Sequence, residues 1–483
     1  MIFTSLQYLL FLPLVVICYW VLPKQFRLPM LLLASYFFYM SWMPVFIILI
    51  VSMTLFNFLW GKVLEKAQKN RKLIFSLGIF ANLACLGFFK YANFILETLN
   101  ATYLSVLKVN PGWHADIILP LAISFFTFEF IHYLFEVYKG NPTIKSFTLF
   151  ALFAAFFPTQ IAGPIKRYRD FEAQMLETKK ISLQYFDEGI PLIIIGLAKK
   201  VLLANNLAIL VDMGYKIPMS YGSLELWLFA YAFAFQIYFD FSAYTDIARG
   251  SAMLFGYKIP INFNIPYIAN NVANFWHRWH ISLSTWLRDY LFIPLGGSQD
   301  SRFQTNRNLF ITMALGGLWH GASWSFMVWG IYHGVALIVH REFGFLKEKF
   351  SFLKSLVDSK IGHAMSILLT FHFVCIGWVF FRIHEVNVAF SVVKRMVTLS
   401  PLRTPGEAEQ LIIQGEHLPV IVSVTTIMTL ILLVMNWPLG TLQNKGIHKL
   451  LPKPLLGVFC AFLILAMVTF LPDGSEPFIY FQF

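Results

Sequence analysis

Charged residues are scarce in this chain. Only 13% of its 483 residues are charged, 58% are hydrophobic, and the mean hydropathy is +0.65. A soluble domain carries about 25% charged residues, so this composition excludes a soluble multidomain protein. Apolar runs of about 20 residues, the length that crosses a bilayer, recur along the sequence. These runs are continuous rather than alternating, which argues against a transmembrane β-barrel. The composition therefore predicts an all-α polytopic membrane protein.

Acidic residues and cysteines are also few. There are 25 Asp and Glu against 37 Lys and Arg, which gives a formal net charge of +12. The basic residues lie in short loops between apolar runs, as membrane topology requires, so we expect no nucleic-acid partner. Cys18, Cys85, Cys375 and Cys460 all lie inside apolar stretches without metal-ligand spacing. We therefore expect no disulfide framework and no metal.

Several familiar catalytic signatures are missing. The sequence contains no GxSxG nucleophile elbow, no Walker phosphate loop, no HExxH zinc motif and no cysteine pair. It also has no internal repeat and no low-complexity segment. The absences exclude the enzyme classes that depend on those motifs. Any chemistry must come from polar residues placed within the apolar runs.

About ten or more apolar segments predict one integral-membrane domain over residues 1–483. We expect a catalytic core at about 117–340, followed by C-terminal spans and an outward tail within 362–483. Residues 2–22 lack a basic region and a small-residue cleavage site, so they are predicted to be the first span rather than a signal peptide. The distribution of basic loops places both the N-terminus and the tail PDGSEPFIYFQF outside the cytoplasm.

Two segments depart from a simple span. Residues 117–138 carry Glu129, His132 and Glu136 at positions that share one helical face. This face is either satisfied by neighbouring helices or lines a polar cavity. Residues 146–164 contain internal proline and have basic residues at both ends, which predicts a re-entrant or broken helix. Irregular backbone at membrane depth needs protein or water around it, so a central cavity is expected.

The run 190–211 has Lys199 and Lys200 in its middle. Their ammonium groups either reach the cytoplasmic interface along their flexible stems or face an anionic ligand.

Ionisable residues concentrate between Asn274 and Gly334. The first part, 274–295, interleaves histidines and arginines with tryptophans, which indicates a helix at the cytoplasmic surface or lining a wet cavity. His280, Ser284 and Arg288 are predicted to share one face of that helix.

The second part of this stretch, 309–339, is too long for one untilted span and short for two. Gly316, Gly317 and Gly321 permit a bend or close approach in its middle. We therefore predict two short or tilted helices with His320 at their buried junction.

His320 has two interpretations. A histidine inside a membrane is commonly a structural hydrogen-bonding group. Alternatively, its imidazole suits general-base work near neutral pH, where it would deprotonate a hydroxyl that attacks an activated acyl carbon. The spacings of His277 with His280 and of His320 with His333 also resemble metal-binding pairs, but no acidic or cysteine ligand set accompanies them.

Long motifs carry a family resemblance. The segments FWHRWHISLSTWLRDYLFIPLGG and NLFITMALGGLWHGASWSF resemble the signature of the membrane-bound O-acyltransferase (MBOAT) family, in its bacterial alginate O-acetyltransferase branch. The likeness extends to LPLAISFFTFEFIHYLFEVYKG, FFPTQIAGPIKRY, YFDFSAYTDIARG and PFIYFQF, and so covers most of the chain. One departure is His277, where related sequences often have Arg, and it leaves open whether this position binds the acyl donor.

The resemblance implies a ring of tilted transmembrane helices around a central funnel, with re-entrant or interfacial helices. It assigns His320 as the catalytic histidine and His280 as a second, supporting polar residue. The implied reaction moves an acetyl group from cytoplasmic acetyl-CoA to hydroxyls of an exported polysaccharide, through an extracytoplasmic SGNH-type partner at the bacterial inner membrane. Residues expected to bind the donor are Arg278, Arg288, Lys166, Arg167, Trp319 and Ser323.

Other functions remain open at this point. The same fold in relatives of this family transfers D-alanine from a carrier protein to teichoic acid. A transporter of polymer or acyl groups without catalysis is a different class, and lipid or protein acylation is a further possibility within the family. The acceptor itself is not identified by the sequence.

Overall fold

The computed structural model describes residues 1–299, 301–398, 451–470 and 478–479. Within these ranges the regular elements are helices, and no strand occurs. Lipid offers the backbone no hydrogen-bonding partner, so long apolar runs satisfy their own amide groups by forming helices. Five helical stretches of the described chain are long and apolar enough to cross a membrane: Pro44–Lys66, Arg71–Leu107, Leu183–Lys216, Ser223–Met253 and Lys360–Arg382. The prediction of an all-α polytopic membrane protein is confirmed.

The first half of the chain forms ten α-helices, whose longest connections are residues 108–122 and 156–167. They are α1 Leu6–Val21, α2 Lys24–Met40, α3 Ile47–Lys66, α4 Arg71–Leu86, α5 Ala92–Leu107, α6 Ile123–Tyr138, α7 Phe147–Ala155, α8 Tyr168–Leu176, α9 Leu183–Ala198 and α10 Asn205–Lys216. Single π turns at Gly87–Tyr91 and Lys199–Ala204 join α4 to α5 and α9 to α10.

The described second half adds nine helices. They are α11 Ser223–Met253, α12 Val272–Trp276, α13 Ile281–Leu287, α14 Arg302–His320, α15 Trp324–Lys349, α16 Ser351–Asp358, α17 Lys360–Arg382, α18 Val386–Val397 and α19 Lys453–Thr469. The span predicted at 418–436 and most of the tail lie outside the described residues.

The chain divides into two compact units. The first comprises Met1–Ile193 and Tyr244–Pro260, and the second comprises Ile194–Ala243 and Ile261–Phe483. The prediction of a single domain stays a prediction.

Buried polar contacts join distant parts of the first unit. The Tyr8 hydroxyl lies 2.8 Å from the Ser251 hydroxyl, and the side-chain amides of Asn57 and Asn82 exchange two hydrogen bonds between α3 and α4. Each contact satisfies polar groups that would otherwise be costly inside an apolar core.

Helix α7 stops early, as the broken-helix prediction requires. It ends at Ala155, and the chain continues through buried turns to Gly163. The Phe157 amide donates to the Ser35 hydroxyl over 3.1 Å, and the Gly163 amide donates to the Thr159 carbonyl. Protein groups thus satisfy this irregular backbone, which is the condition for its presence in apolar surroundings.

In the second unit, α14 and α15 form an antiparallel pair with very close backbones. A Cβ at Gly317 would overlap the Phe326 carbonyl oxygen and lie 2.8 Å from the Gly330 Cα. A Cβ at Gly330 would overlap the Met313 carbonyl oxygen. The two glycines therefore set the separation of the helices. The sequence predicted close approach at Gly317 but not its partner on α15.

We expect Gly317→Ala to destabilise the protein by about 1–3 kcal/mol, because the atoms in its way belong to backbone that cannot move without separating α14 from α15. The matched control is Gly344→Ala on α15, where an added Cβ meets nothing within 4 Å. Alanine there should be neutral or stabilising by up to about 1 kcal/mol. Thermal unfolding of both variants in the same detergent measures the difference, and equal unfolding temperatures would contradict the packing argument.

Candidate functional site

His320 is the last residue of α14 and lies at a buried junction. The chain turns through residues 321–323 before α15 begins. A Cβ at Gly321 would overlap the Phe326 ring, so only glycine fits at this turn. Ser323 then caps α15, because its hydroxyl accepts from the Phe326 amide over 3.4 Å. The predicted junction of two helices is confirmed, although α14 and α15 are 19 and 26 residues long rather than short.

Aromatic rings wall the His320 imidazole. The centroids of Trp319, Trp329 and Phe381 lie 4.9, 5.1 and 5.3 Å from its own. Only 5% of His320 is exposed. An environment of this kind excludes bulk water and strengthens any electrostatic interaction that the imidazole makes.

His280 lies close to His320 in the same unit. Its ring centroid is 6.3 Å from that of His320, and the edge of Phe241 contacts it with centroids 4.7 Å apart. His280 has no exposed surface. The two histidines that the sequence ranked first are therefore brought together, although they are 40 positions apart.

The predicted helix around His280 is broken. His280 has φ +44° and separates α12 from α13. Asn262 holds the start of α13, where its side-chain oxygen accepts from the Ser282 hydroxyl over 2.6 Å. The expectation that His280 and Arg288 share one face is wrong, since His280 is fully buried and 56% of the Arg288 side chain is exposed.

The residues of the second unit that were predicted to bind the donor do not share one environment. The Arg278 guanidinium donates to the Asn274 side chain over 2.9 Å and to the Asn264 carbonyl over 3.0 Å, while Arg288 pairs with Asp289 at 2.7 Å. Trp319 is part of the wall of His320, and Ser323 is the cap of α15. His277 is exposed.

Lys166 belongs to the first unit and is almost fully buried. Its ammonium group donates to the Glu129 carboxylate over 2.7 Å and to the Thr159 hydroxyl over 2.8 Å. The neighbouring Arg167 precedes the first residue of α8.

The polar face of α6 has partners from neighbouring segments. The Tyr168 amide donates to His132 Nε2 over 3.0 Å, and Glu136 accepts from Asn141. With Glu129 held by Lys166, each of the three polar residues has at least one partner within the protein. The structure therefore favours the first of the two interpretations offered for this face.

A second buried ion pair was not predicted from the sequence. Lys200 and Asp240 lie 2.5 Å apart in the second unit and are 3% and 2% exposed. The other Asp240 oxygen accepts from the Ile479 amide over 2.7 Å, and the Phe478 ring centroid lies 4.8 Å from the Lys200 nitrogen. Interfacial placement of Lys200 is therefore wrong. The available signal was opposite charges in two apolar runs, which in a membrane protein indicates pairing.

No group of three or more His, Cys, Asp or Glu in the described ranges has the geometry to hold a metal ion.

Together, the helices and the histidine pair define a polytopic membrane protein with a dry, aromatic-walled polar site. Comparison with known proteins identifies the family within this class of membrane proteins. The model of the membrane-bound O-acyltransferase family matches residues 74–381. The chain belongs to this family, and it is an O-acyltransferase that uses an acyl donor.

Relatives from three groups place the chain within the family. It is 40% identical over 401 residues to the probable alginate O-acetylase AlgI of Azotobacter vinelandii, covering 82% of this chain and 78% of that protein. It is 37% identical over 431 residues to the peptidoglycan O-acetyltransferase of Helicobacter pylori, covering 82% and 80%. The teichoic acid D-alanyltransferase of Bacillus subtilis is 32% identical over 272 residues, covering 54% and 68%.

The Lys166 contacts predict that this residue stabilises the protein. Lys166→Met leaves the Glu129 charge buried without its partner and should cost about 3–5 kcal/mol. The double variant Lys166→Met/Glu129→Leu should recover much of that loss, and Lys180→Met, at an exposed position, should have no effect. Thermal unfolding measures all three. Unchanged stability of Lys166→Met, with a raised KM for acetyl-CoA, would instead favour a donor-binding role.

Proposed function

We propose that this protein moves an acetyl group from acetyl-CoA toward hydroxyl groups of an exported polysaccharide such as alginate. The observation that carries the proposal is the position of His320 at a buried helix junction, 6.3 Å between ring centroids from His280. The similarity to proteins named alginate O-acetylase and peptidoglycan O-acetyltransferase supports acetyl as the transferred group and a cell-envelope polymer as the acceptor.

His320 acts as the general base in this proposal. A ring nitrogen removes the proton of the attacking hydroxyl, whose oxygen forms a bond to the thioester carbonyl carbon. The carbon–sulfur bond then breaks, and the departing thiolate takes up a proton to give free CoA. The walls formed by Trp319, Trp329 and Phe381 keep water away from the acyl carbon, so hydrolysis does not compete with transfer.

His280 is a positioning residue. Its ring is fixed by the left-handed backbone at its own position and by the edge of Phe241. From there it orients the hydroxyl or polarises the acyl carbonyl while His320 accepts the proton. General acid–base catalysis requires this type of fixed geometry.

Donor binding involves phosphate groups, and arginine is well suited to them because its guanidinium can donate two parallel hydrogen bonds. Arg288 is the more accessible candidate, and its exposed pair with Asp289 is weak enough to exchange for a phosphate. Arg278, Arg167, Trp319 and Ser323 are further candidates. Lys166 is the least suited, since binding there would compete with its buried ion pair.

The reaction divides between two sides of a membrane, which we propose is the bacterial inner membrane. Acetyl-CoA is available on the cytoplasmic side, whereas the polymer is exported. An extracytoplasmic SGNH-type partner, acting with the polysaccharide synthesis machinery, completes the transfer. Both termini face that side, and the tail is the proposed docking element.

The main alternative is D-alanyl transfer from a carrier protein to teichoic acid. It is supported by the similarity to the D-alanyltransferase of Bacillus subtilis, which covers a smaller share of this chain than the acetylases do. Purified membranes incubated with labelled acetyl-CoA or with D-alanyl-charged carrier protein distinguish the two donors. A transporter without catalysis would retain its transport when both His320 and His280 are replaced.

His320→Ala should lower acetyl transfer from labelled acetyl-CoA by about 10²–10⁴-fold, the usual contribution of a general base. His280→Ala should also lower kcat. The general base His320 stays in place, but the hydroxyl or acyl carbonyl that His280 orients is no longer held. The control is His114→Ala, at an exposed position. Transfer at the normal rate by correctly inserted His320→Ala would contradict the assignment.

The tail can be tested with two deletions. Removing residues 480–483 keeps Phe478 and Ile479 against the Lys200–Asp240 pair, and we expect copurification of the extracytoplasmic partner to fall. Removing residues 477–483 also takes away these buried contacts and should lower the unfolding temperature. Undiminished copurification with both deletions would reject docking through the tail.

A further inference from the structure

A large groove lies in the second unit, and neither His280 nor His320 lines it. Helices α15, α16 and α17 form it together with residues 270–272, and its volume is about 1380 Å³. Sites for drug-sized ligands have roughly 300–1,000 Å³, so this groove has room for a larger molecule. Its lining changes character along its length, from apolar side chains at one end to charged and amide side chains at the other.

The apolar end has the length of one lipid leaflet. Its wall on α15 extends from Val328 to Val339, a rise of about 17 Å at 1.5 Å per residue. Half the hydrocarbon core of a bilayer is about 15 Å thick. Tyr332 lies within this wall, where its ring stacks on Phe373 at 4.2 Å and its hydroxyl donates to the Phe373 carbonyl.

Exposed aliphatic side chains lie on both long helices that line the groove. Val335 and Val339 on one wall are 46% and 60% exposed, and Leu369 on the facing helix α17 is 64% exposed. Helix α17 is one of the five described stretches that are long and apolar enough to cross a membrane. Exposed aliphatic side chains along a spanning helix contact acyl chains, so lipid has direct access to the groove from the bilayer.

The polar end carries both signs of charge. Lys347 and Lys360 line it together with Glu348 and Asp358, which gives no net formal charge. Lys347 pairs with Asp358 at 2.6 Å, whereas Lys360 makes no salt bridge with any residue that the structure describes. Asn270 and His363 lie beside it, with their side-chain nitrogens 3.5 Å apart.

We infer that this groove binds one phospholipid with a zwitterionic head group, of the phosphoethanolamine type. The acyl chains lie along Val328–Val339 and against Leu369, and the head group lies among the charged residues. Lys360 donates to the phosphate, a charge-assisted contact. Glu348 accepts from the ammonium group, which its exposed pair with Lys354 permits.

The polar end of the groove carries both signs of charge and no net charge, which matches a head group that also carries both signs. An anionic head group would satisfy Lys360 but would leave its negative charge next to Glu348 and Asp358. A single-chain or soluble ligand would leave part of the apolar wall uncovered. The length of that wall and the balance of charge therefore favour the same occupant.

The test uses the full chain in nanodiscs with equal amounts of phosphatidylethanolamine and phosphatidylglycerol, followed by native mass spectrometry. The unmodified protein should retain one phosphatidylethanolamine. Val335→Trp fills the groove and should lower retention about tenfold, which corresponds to about 1.4 kcal/mol. Lys360→Glu places a negative charge at the phosphate position and should produce a similar loss.

Leu368→Trp is the matched control, because it makes a comparable aliphatic-to-Trp change at a 48% exposed position of α17 that does not line the groove. It should retain lipid as the unmodified protein does. Equal retention by Val335→Trp and the unmodified protein overturns the site. Preferential retention of phosphatidylglycerol overturns the zwitterionic assignment, and retention of no lipid by the unmodified protein overturns both. Unfolding temperatures confirm that each variant is folded.

Discussion

The structure depends on one constraint: backbone that leaves helical geometry in apolar surroundings must be satisfied by other protein groups. Three of the described departures show such support. Ser35 accepts from the backbone beyond α7, Asn262 from the start of α13, and Ser323 from the start of α15. The last two flank the histidine pair. The side chains proposed for chemistry thus lie where regular helix ends, and supporting polar residues make those ends tolerable.

Close helix packing and the site are parts of the same arrangement. Gly317 and Gly330 bring α14 and α15 together, and this contact fixes where His320 and Trp329 meet at the end of the pair. A wider separation would open the wall of His320 to water. The two glycines thus affect the surroundings of His320 without touching a substrate, because they set the distance between the backbones of α14 and α15.

Much of the fold, and the position of His320, could be predicted from the sequence because both depend on local patterns. An apolar run of 31 residues with central glycines requires a turn, so the junction at His320 follows from length and residue type. The break at His280 cannot be predicted from length and residue type. Tertiary contacts, such as those of Asn262, impose the left-handed backbone conformation there. Sequence spacing alone therefore assigned His280 and Arg288 to one face. Likewise, no local pattern showed that Lys166 pairs with Glu129 or Lys200 with Asp240, since each pair joins separate helices or segments.

The contact between Asp240 and Ile479 has a consequence for biogenesis. The two residues are 239 positions apart in the chain. At synthesis rates of about 5–20 residues per second, Asp240 leaves the ribosome roughly 10–50 s before the amide that completes its hydrogen bonding. Helices carrying Lys200 and Asp240 can enter the membrane and pair during that interval. Asp240, however, gains this contact only after residue 479 has been translated, so products truncated before that residue lack the contact even when their spans are correctly inserted.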